Sequence, residues 1–306
     1  MAANYWDSTQ AKYWTFTRPE LASMREELSK THLTACKKYP LPELRHMSIY
    51  MQNQLHKLAK PMSLRQQALA TAQVYIKRFY LCAEIRKTNP YLIMATAVYL
   101  ACKMEECPQH IRLMLGEAAR RWPELGVTET SKIGECEFAL ISTLNSRLIL
   151  HHPYRALAEL QMVFYLSSEE NNLAQAIVND SYNTDLSLLY PPHVIAIVAN
   201  FLAIVLRPAQ TASMQASPST PGGASNSPIT PAVSSAVAQT ALAGSTFRAG
   251  NIRLAKMIEW LAETEVDMEA VVDATQEMIS LYECWESYNE RACKEGITKF
   301  MKDSTK

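Results

Sequence analysis

The chain has 306 residues, of which 48% are hydrophobic, and its thirty basic residues balance thirty acidic ones. A length of this order favours two domains, each with an ordinary hydrophobic core. Zero net charge and a pI near 7.0 argue against broad electrostatic capture of nucleic acid or of an anionic membrane. Binding to any partner is therefore expected to depend on shape or on local charge.

The cysteines and the amino terminus favour a reduced, intracellular protein. Seven cysteines are present, an odd number, and none forms a C-x-x-C motif, so we interpret them as reduced packing residues. Residues 1–10 lack the basic and then apolar layout of a secretion signal. We therefore expect the protein to stay inside the cell.

Apolar periodicity predicts an all-α fold, because only eight glycines occur and no alternating strand pattern with hairpin turns is found. Each half of the chain has one helix that is almost free of charge, and such a helix must be enclosed by others. We expect two bundles, each wrapped around one buried helix. In chain order the predicted helices lie near 19–30, 42–59, 64–82, 91–105, 109–121, 129–145, 154–165, 171–188, 193–206, 252–263 and 267–284.

Between Arg207 and Gly250 the composition changes to Ala, Ser, Thr, Pro and Gln. Such a segment cannot bury enough apolar surface to fold, so we predict a disordered insertion at 207–250. It contains Ser-Pro and Thr-Pro pairs at positions 217, 220, 227 and 230, a form favoured by proline-directed kinases. Two interpretations stay open, a tolerated surface insertion and a phosphorylated segment.

Two charged residues occupy positions where a partner is needed. Lys103 leaves the central helix of the first half, and Glu137 lies on the same helix face as the apolar residues Ile133 and Ile141. An unpaired buried charge costs several kcal/mol or shifts its pKa. Lys103 and Glu137 could form an internal ion pair that joins two helices, or both could be presented to another protein.

Aromatic residues are concentrated before the first bundle, with Tyr5 and Trp6 followed by Tyr13, Trp14 and Phe16. Aromatics at a terminus must dock on their own bundle or anchor a partner, since Trp and Tyr dominate both cores and interface hot spots. Both interpretations stay open on the residues alone.

Catalytic and metal-binding signatures are weak. The sequence has no phosphate-binding loop, no dinucleotide-binding glycine motif, no H-E-x-x-H and no G-x-S-x-G, so an enzyme is not predicted, and no cofactor or metal is expected. His151-His152 favours a linker or capping role over metal binding. The acidic pairs Glu105-Glu106 and Glu169-Glu170 are interpreted as solvated helix ends.

Several local sequences together resemble the duplicated cyclin box. The segments Val74–Tyr80 and Tyr99–Glu106 are similar to the second and third helices of that box. Others resemble one branch, the cyclin C family, in a fungal type with an inserted low-complexity loop. These further segments are Tyr5–Ser8, Glu135–Phe138, His152–Arg155, Ile177–Asp180, Thr184–Leu186, Leu189–Pro192 and Val266–Glu269.

The resemblance implies two tandem five-helix cyclin-box bundles with an N-terminal helix and a disordered insertion in the second box. It places an N-terminal helical segment at 1–41, the first box at 42–150, the second at 151–285 and a C-terminal helix and tail at 286–306. It also implies a nuclear, non-catalytic subunit that binds a cyclin-dependent kinase and other subunits of the Mediator kinase module, without direct contact to nucleic acid or membrane. The implied kinase-binding residues are Tyr5, Trp6, Trp14, Lys103, Glu106 and Glu137.

The first box departs from cell-cycle cyclins at Met47–Met51, which replaces the Met-Arg-Ala-Ile-Leu patch used to recruit substrates. Substrate docking of that kind is therefore not expected, and no destruction box is evident. A rival interpretation is a DNA-binding protein similar to general transcription factors, which also duplicate this unit. DNA readers carry a basic stripe, whereas basic residues here are scattered among acids.

Overall fold

The computed structural model describes residues 4–214 and 252–304, with side chains for residues 4–206 and 253–303. The chain divides into two compact units. The first consists of Met1–His152, Ser187–Leu189 and Tyr288–Lys306, and the second of Pro153–Leu186 and Tyr190–Ser287.

The described residues form α-helices and short 3-10 helices, and no strand occurs among them, so the predicted all-α fold is confirmed. No helix in these ranges combines the length and the hydropathy that crossing a bilayer requires. The helices before the junction at His151-His152 are α1 (Thr9–Tyr13), α2 (Arg18–Thr31), α3 (Leu33–Lys38), α4 (Leu44–Ala59), α5 (Gln66–Cys82), α6 (Pro90–Met104), α7 (Ile111–Arg121) and α8 (Thr130–Thr143). Those after it are α9 (Tyr154–Phe164), α10 (Ser168–Ser181), α11 (Leu186–Leu189), α12 (Pro192–Met214), α13 (Ile252–Glu263), α14 (Met268–Glu286) and α15 (Glu290–Ser304).

Helix α6 is the buried centre of the first unit, as its sequence predicts. Asn89 caps its start by accepting hydrogen bonds from the backbone N–H groups of Tyr91 and Leu92, and Pro90 occupies the first turn. Five consecutive residues, Met94–Val98, have no exposed surface. Helices α4, α5, α7 and α8 all contact α6, so its last turn is held firmly by a complete bundle.

Helix α12 is the corresponding buried helix of the second unit. Every residue from Val194 to Ala199 is at most 4% exposed, and α9, α10, α13 and α14 pack against it. Its backbone continues to Met214, past Leu206, where the sequence placed its end. The rest of the predicted insertion, with its Ser-Pro and Thr-Pro sites, lies outside the described residues.

The single helix predicted near 171–188 was wrong. A capping box at Ser167 starts α10 earlier, and α10 ends at Ser181, before the short α11. Hydroxyl groups explain the break: Ser181 donates to the carbonyl of Val178 (2.7 Å), and Thr184 donates to the carbonyl of Ser181 (2.6 Å). Such local hydrogen bonds compete with the helical pattern and favour a turn.

The C-terminal helix α15 returns to the first unit and packs against α4. Its apolar stripe is almost completely buried, with exposures of at most 1% for Cys293, Ile297 and Phe300. The first unit therefore completes its core with a helix that follows the second unit in the sequence.

Polar contacts and one glycine fix where α15 sits. Glu290 accepts a hydrogen bond from Gln54 (2.9 Å) and pairs with Lys57, both on α4. A Cβ atom at Gly296 would lie 2.9 Å from Cδ2 of Leu41, so the missing side chain permits close approach of the segment before α4.

Candidate functional site

The end of α6 is a Schellman motif that fixes the direction in which Lys103 leaves the core. Glu106 has a left-handed backbone (φ 52°), its N–H donates to the carbonyl of Lys103 (3.4 Å), and the N–H of Cys107 donates to the carbonyl of Cys102 (2.9 Å). The orphan carbonyls of the last turn are thereby satisfied. The end of α6 is therefore closed by backbone hydrogen bonds.

Lys103 and Glu137 form an ion pair, with 2.7 Å between Nζ and Oε1. The Lys103 side chain is 42% exposed and that of Glu137 is 13% exposed, so the pair lies at the surface of the first unit. The Lys103 ammonium also sits 4.7 Å from the ring centre of Tyr99. Partial burial acts to lower the pKa of Lys103, but the hydrogen bond and charge of Glu137 outweigh it and raise the pKa. The internal ion pair therefore forms while its ammonium remains accessible.

Exposed apolar residues follow both members of this pair, and sequence reasoning missed them. Phe138, the residue after Glu137, is 76% exposed, and Met104, the residue after Lys103, is 37% exposed. Phe138 lies off the buried stripe of α8, so an aromatic residue on the polar side of an amphipathic helix was the signal available. Such residues are typical anchors of protein interfaces.

The two acidic pairs are not equivalent solvated helix ends. Glu106 is exposed, but Glu105 accepts hydrogen bonds from Gln67 and Thr71, each at 2.6 Å. In the second unit Glu169 is exposed, whereas Glu170 is 2% exposed, closes a capping box and pairs with Arg253 at 2.9 Å. The interpretation as solvated ends was therefore wrong for Glu105 and Glu170, because each carboxylate has specific donors.

Trp14, one of the residues that the resemblance implies in kinase binding, belongs to the core of the first unit. It is 4% exposed, and its ring lies 4.8 Å from the guanidinium carbon of Arg78. Arg78 itself is fully buried and donates to the carbonyl of Arg147 at 3.3 Å. An aromatic face stabilises a cation that has lost its water, so Trp14 has an internal role.

Tyr5 and Trp6 lie at the start of the same segment, and Trp6, unlike Trp14, is exposed. Trp6 is 61% exposed, and its ring contacts Tyr5 edge to face at 5.2 Å. The Tyr5 hydroxyl is within hydrogen-bond distance of Thr15 Oγ1 (2.9 Å), which folds the segment back on itself. The aromatic segment therefore docks through one tryptophan and presents the other.

The adjacent histidines bind protein groups. The His152 side chain is 5% exposed, with Nε2 2.7 Å from the hydroxyl of Thr71. His151 contacts the ring of Tyr5 edge to face at 5.9 Å. Among the described residues no group of three or more His, Cys, Asp or Glu side chains could hold a metal ion, and all seven cysteines are free thiols.

Comparison with known proteins identifies the family of the chain. A model of the cyclin N-terminal domain matches residues 14–149. The "RNA polymerase II holoenzyme cyclin-like subunit" of Aspergillus oryzae is 51% identical over 302 residues, covering 99% of this chain and 98% of the relative. The subunit of the same description from Neurospora crassa is 47% identical over 339 residues, with the same coverage.

Two solved structures share the fold. A chain in the CAK complex from Chaetomium thermophilum superposes with a TM-score of 0.60 at 20% identity, covering 97% of this chain and 88% of that one. A chain in the yeast TFIIK complex gives a TM-score of 0.54 at 21% identity, covering 68% and 91%. With half of its residues shared with full-length fungal relatives, the chain belongs to the cyclin family, among the cyclin C-like subunits described as RNA polymerase II holoenzyme cyclin-like subunits.

Proposed function

We propose that this chain is a non-catalytic nuclear cyclin that binds and activates the cyclin-dependent kinase of the Mediator kinase module, and so regulates RNA polymerase II transcription. The observation that carries the proposal is the accessible Lys103–Glu137 pair with an exposed apolar residue beside each member. The description of the fungal relatives as RNA polymerase II holoenzyme subunits supports it. So does the likeness in fold to chains of the CAK and TFIIK complexes.

The surface suits a partner that supplies a helix with both charged and apolar side chains. Active kinases need their C-helix inward, where its glutamate pairs with the strand-three lysine. A cyclin surface that contacts the C-helix only in its inward position shifts the kinase toward that position. About 5.5 kcal/mol of such contact free energy changes the ratio of inward to outward kinase from 1:99 to 99:1. Phe138 and Met104 supply apolar contact, and Lys103 and Glu137 fix the register of the bound helix.

Glu106 and Trp6 are two further residues of the proposed kinase-binding surface. Glu106 is exposed directly beyond the α6 terminus, and Trp6 is exposed on the N-terminal segment, where Tyr5 supports its ring. Trp14 contributes indirectly, by holding that segment on the first unit.

A charge-swap series tests the proposal. Lys103→Glu and Glu137→Lys are each expected to weaken kinase binding at least about tenfold, because each places two like charges side by side and presents the wrong sign to the partner. The double variant restores an internal ion pair with its polarity reversed. It is expected to regain the thermal stability of the wild type but not its kinase affinity, measured by calorimetry with the purified kinase.

The double variant separates a structural pair from a presented one. Recovery of full kinase affinity by the double variant would mean that the pair only joins α6 to α8, and the proposed surface would be wrong. Co-purification of tagged wild-type chain from nuclear extract, with identification of the bound kinase and of other Mediator subunits, tests the assembly independently. A DNA-binding function has no support from the neutral charge balance, and selective gel shifts by the isolated chain would reopen it.

A further inference from the structure

A buried threonine hydroxyl connects the end of α6 to the junction segment, Arg147–His152. Thr71 on α5 has no exposed surface, and its Oγ1 lies 2.6 Å from Oε1 of Glu105 and 2.7 Å from Nε2 of His152. A hydroxyl has one hydrogen, and a carboxylate can only accept, so Thr71 donates to Glu105. His152 must then donate its Nε2–H to Thr71, which fixes the tautomer of a histidine that burial keeps neutral.

The preceding residue of the junction segment, His151, is hydrogen-bonded to the N-terminal segment through its backbone. Gln10 on α1 is 4% exposed, and its side-chain oxygen accepts from the backbone N–H of His151 at 2.7 Å. Its side-chain amide donates to the carbonyl of His151 at 3.4 Å. His151, which also contacts the ring of Tyr5, therefore positions the aromatic segment, and the adjacent His152 contacts Thr71.

At the other end, the network reaches the proposed kinase-binding lysine. Glu105 caps α6 only two residues after Lys103, and its second oxygen accepts from Gln67 at 2.6 Å. Both carboxylate oxygens are therefore held by α5, and the turn that carries Lys103 cannot rotate without breaking these hydrogen bonds. The centre of this network, Thr71 and His152, is buried, and hydrogen bonds at such a centre rigidify the groups they join.

We propose that Thr71, Glu105 and His152 are positioning residues, which couple docking of the N-terminal aromatic segment to the orientation of Lys103. Coupling of this kind makes the contacts of Trp6 and Lys103 with the kinase mutually reinforcing. The inference rests on the proposed function and deepens it, because it names residues that act on the kinase-binding surface from within the core.

A double-mutant cycle tests the coupling. Thr71→Val keeps the shape and loses the hydroxyl, and Gln10→Ala removes the hydrogen bonds to His151, so each is expected to weaken kinase affinity about tenfold. Because both substitutions act on one network, the double variant is expected to lose no more kinase affinity than the single variant that binds less tightly. Thr71→Ser, which retains the hydroxyl, is expected to bind the kinase as the wild type does. Lys12→Ala, on the exposed face of α1, is the matched control and is expected to leave affinity unchanged.

Amide hydrogen exchange in the free chain provides a readout that needs no kinase. Gln10→Ala is expected to accelerate exchange of the Glu106 and Cys107 amides, which close the α6 terminus, while Lys12→Ala leaves their rates unchanged. Unchanged exchange in Gln10→Ala, or fully additive losses of affinity in the cycle, would overturn the coupling. If Lys103→Glu binds the kinase normally, the proposed surface fails instead, and the exchange result still decides whether the network exists.

Discussion

At the scale of single residues, His152 shows how packing changes the chemistry of a side chain. Burial, reinforced by the positive charges of Arg78 and His151, lowers the pKa of His152 to about 3. In the unfolded chain a histidine titrates near its ordinary pKa of about 6.5. Between these two values the unfolded state binds a proton that the folded state excludes. Stability therefore falls as the pH falls through this window.

His152→Gln is expected to remove this contribution while keeping an N–H donor for Thr71. Relative to the variant, the wild type should lose up to about 1.4 kcal/mol of unfolding free energy per pH unit between pH 6 and pH 4. Urea unfolding at pH 7.5, 6, 5 and 4 measures the difference. His110→Gln changes an exposed histidine whose Nδ1 caps α7 by accepting from the N–H of Arg112, and it is measured at the same pH values as the comparison for loss of a histidine. Parallel curves for His152→Gln and the wild type would show that His152 is not held neutral.

Phe138 is the residue for which an interface role makes the clearest prediction. Its side chain is 76% exposed, so Phe138→Ala should leave the thermal midpoint within about 1 °C, since surface changes cost little. Kinase affinity is expected to fall at least about tenfold, as for an aromatic hot spot. Met162→Ala in the second unit, at a residue that is 77% exposed, is the control for loss of an exposed apolar side chain. Equal affinities for Phe138→Ala and the wild type would remove Phe138 from the surface.

At the scale of elements, α15 belongs to the core of the first unit although it is far from the rest of that unit in the sequence. Its buried stripe, its contacts to Gln54 and Lys57, and the close approach at Gly296 all place it against α4 or the segment before α4. A short helix gains most of its stability from such packing and not from intrinsic propensity. Loss of a buried side chain in α15 should therefore be felt by the whole first unit.

Phe300→Ala is expected to destabilise the first unit by about 3–5 kcal/mol, the usual cost of deleting a buried aromatic ring. Chemical unfolding measures this change in a background in which Trp6, Trp260 and Trp285 are replaced by Phe, so that the fluorescence comes from Trp14 and Trp122 in the core of the first unit. Lys299→Ala, at the exposed neighbouring position, should stay within about 0.5 kcal/mol of the wild type. A Phe300→Ala variant as stable as the wild type would mean that α15 is dispensable for the first unit.

At the scale of the whole molecule, hydrophobic patterning was sufficient to predict the architecture. The two charge-free segments became the buried helices α6 and α12, because a helix without a polar face can only be enclosed. Most predicted helix ends lie within a few residues of the observed ones. The two large misses are the end of α12, which lies at Met214 and not near 206, and the end of α10 at Ser181, where hydroxyl groups compete for helix carbonyls. The family resemblance was confirmed by relatives that match the full chain.

The candidate site could be predicted only in part. The charges of Lys103 and Glu137 indicated that each needs a partner. The sequence could not show that the two pair with each other while the lysine stays accessible. Nor could it assign opposite roles to Trp6 and Trp14, since the difference depends on Arg78, a buried cation 64 positions from the second tryptophan along the chain. Contacts between residues distant in sequence are set by tertiary packing, and local patterns carry little information about them.

The return of α15 to the first unit has a consequence for synthesis of the protein. Roughly 150 residues separate the end of α8 from α15, and at 5–20 residues per second the ribosome needs on the order of 7 to 30 seconds to translate them. During that interval the surface of α4 against which α15 packs in the folded protein is not yet covered by it. Chaperone capture of nascent chains should accordingly be greatest before α15 is synthesised, and release should follow once α15 packs against α4.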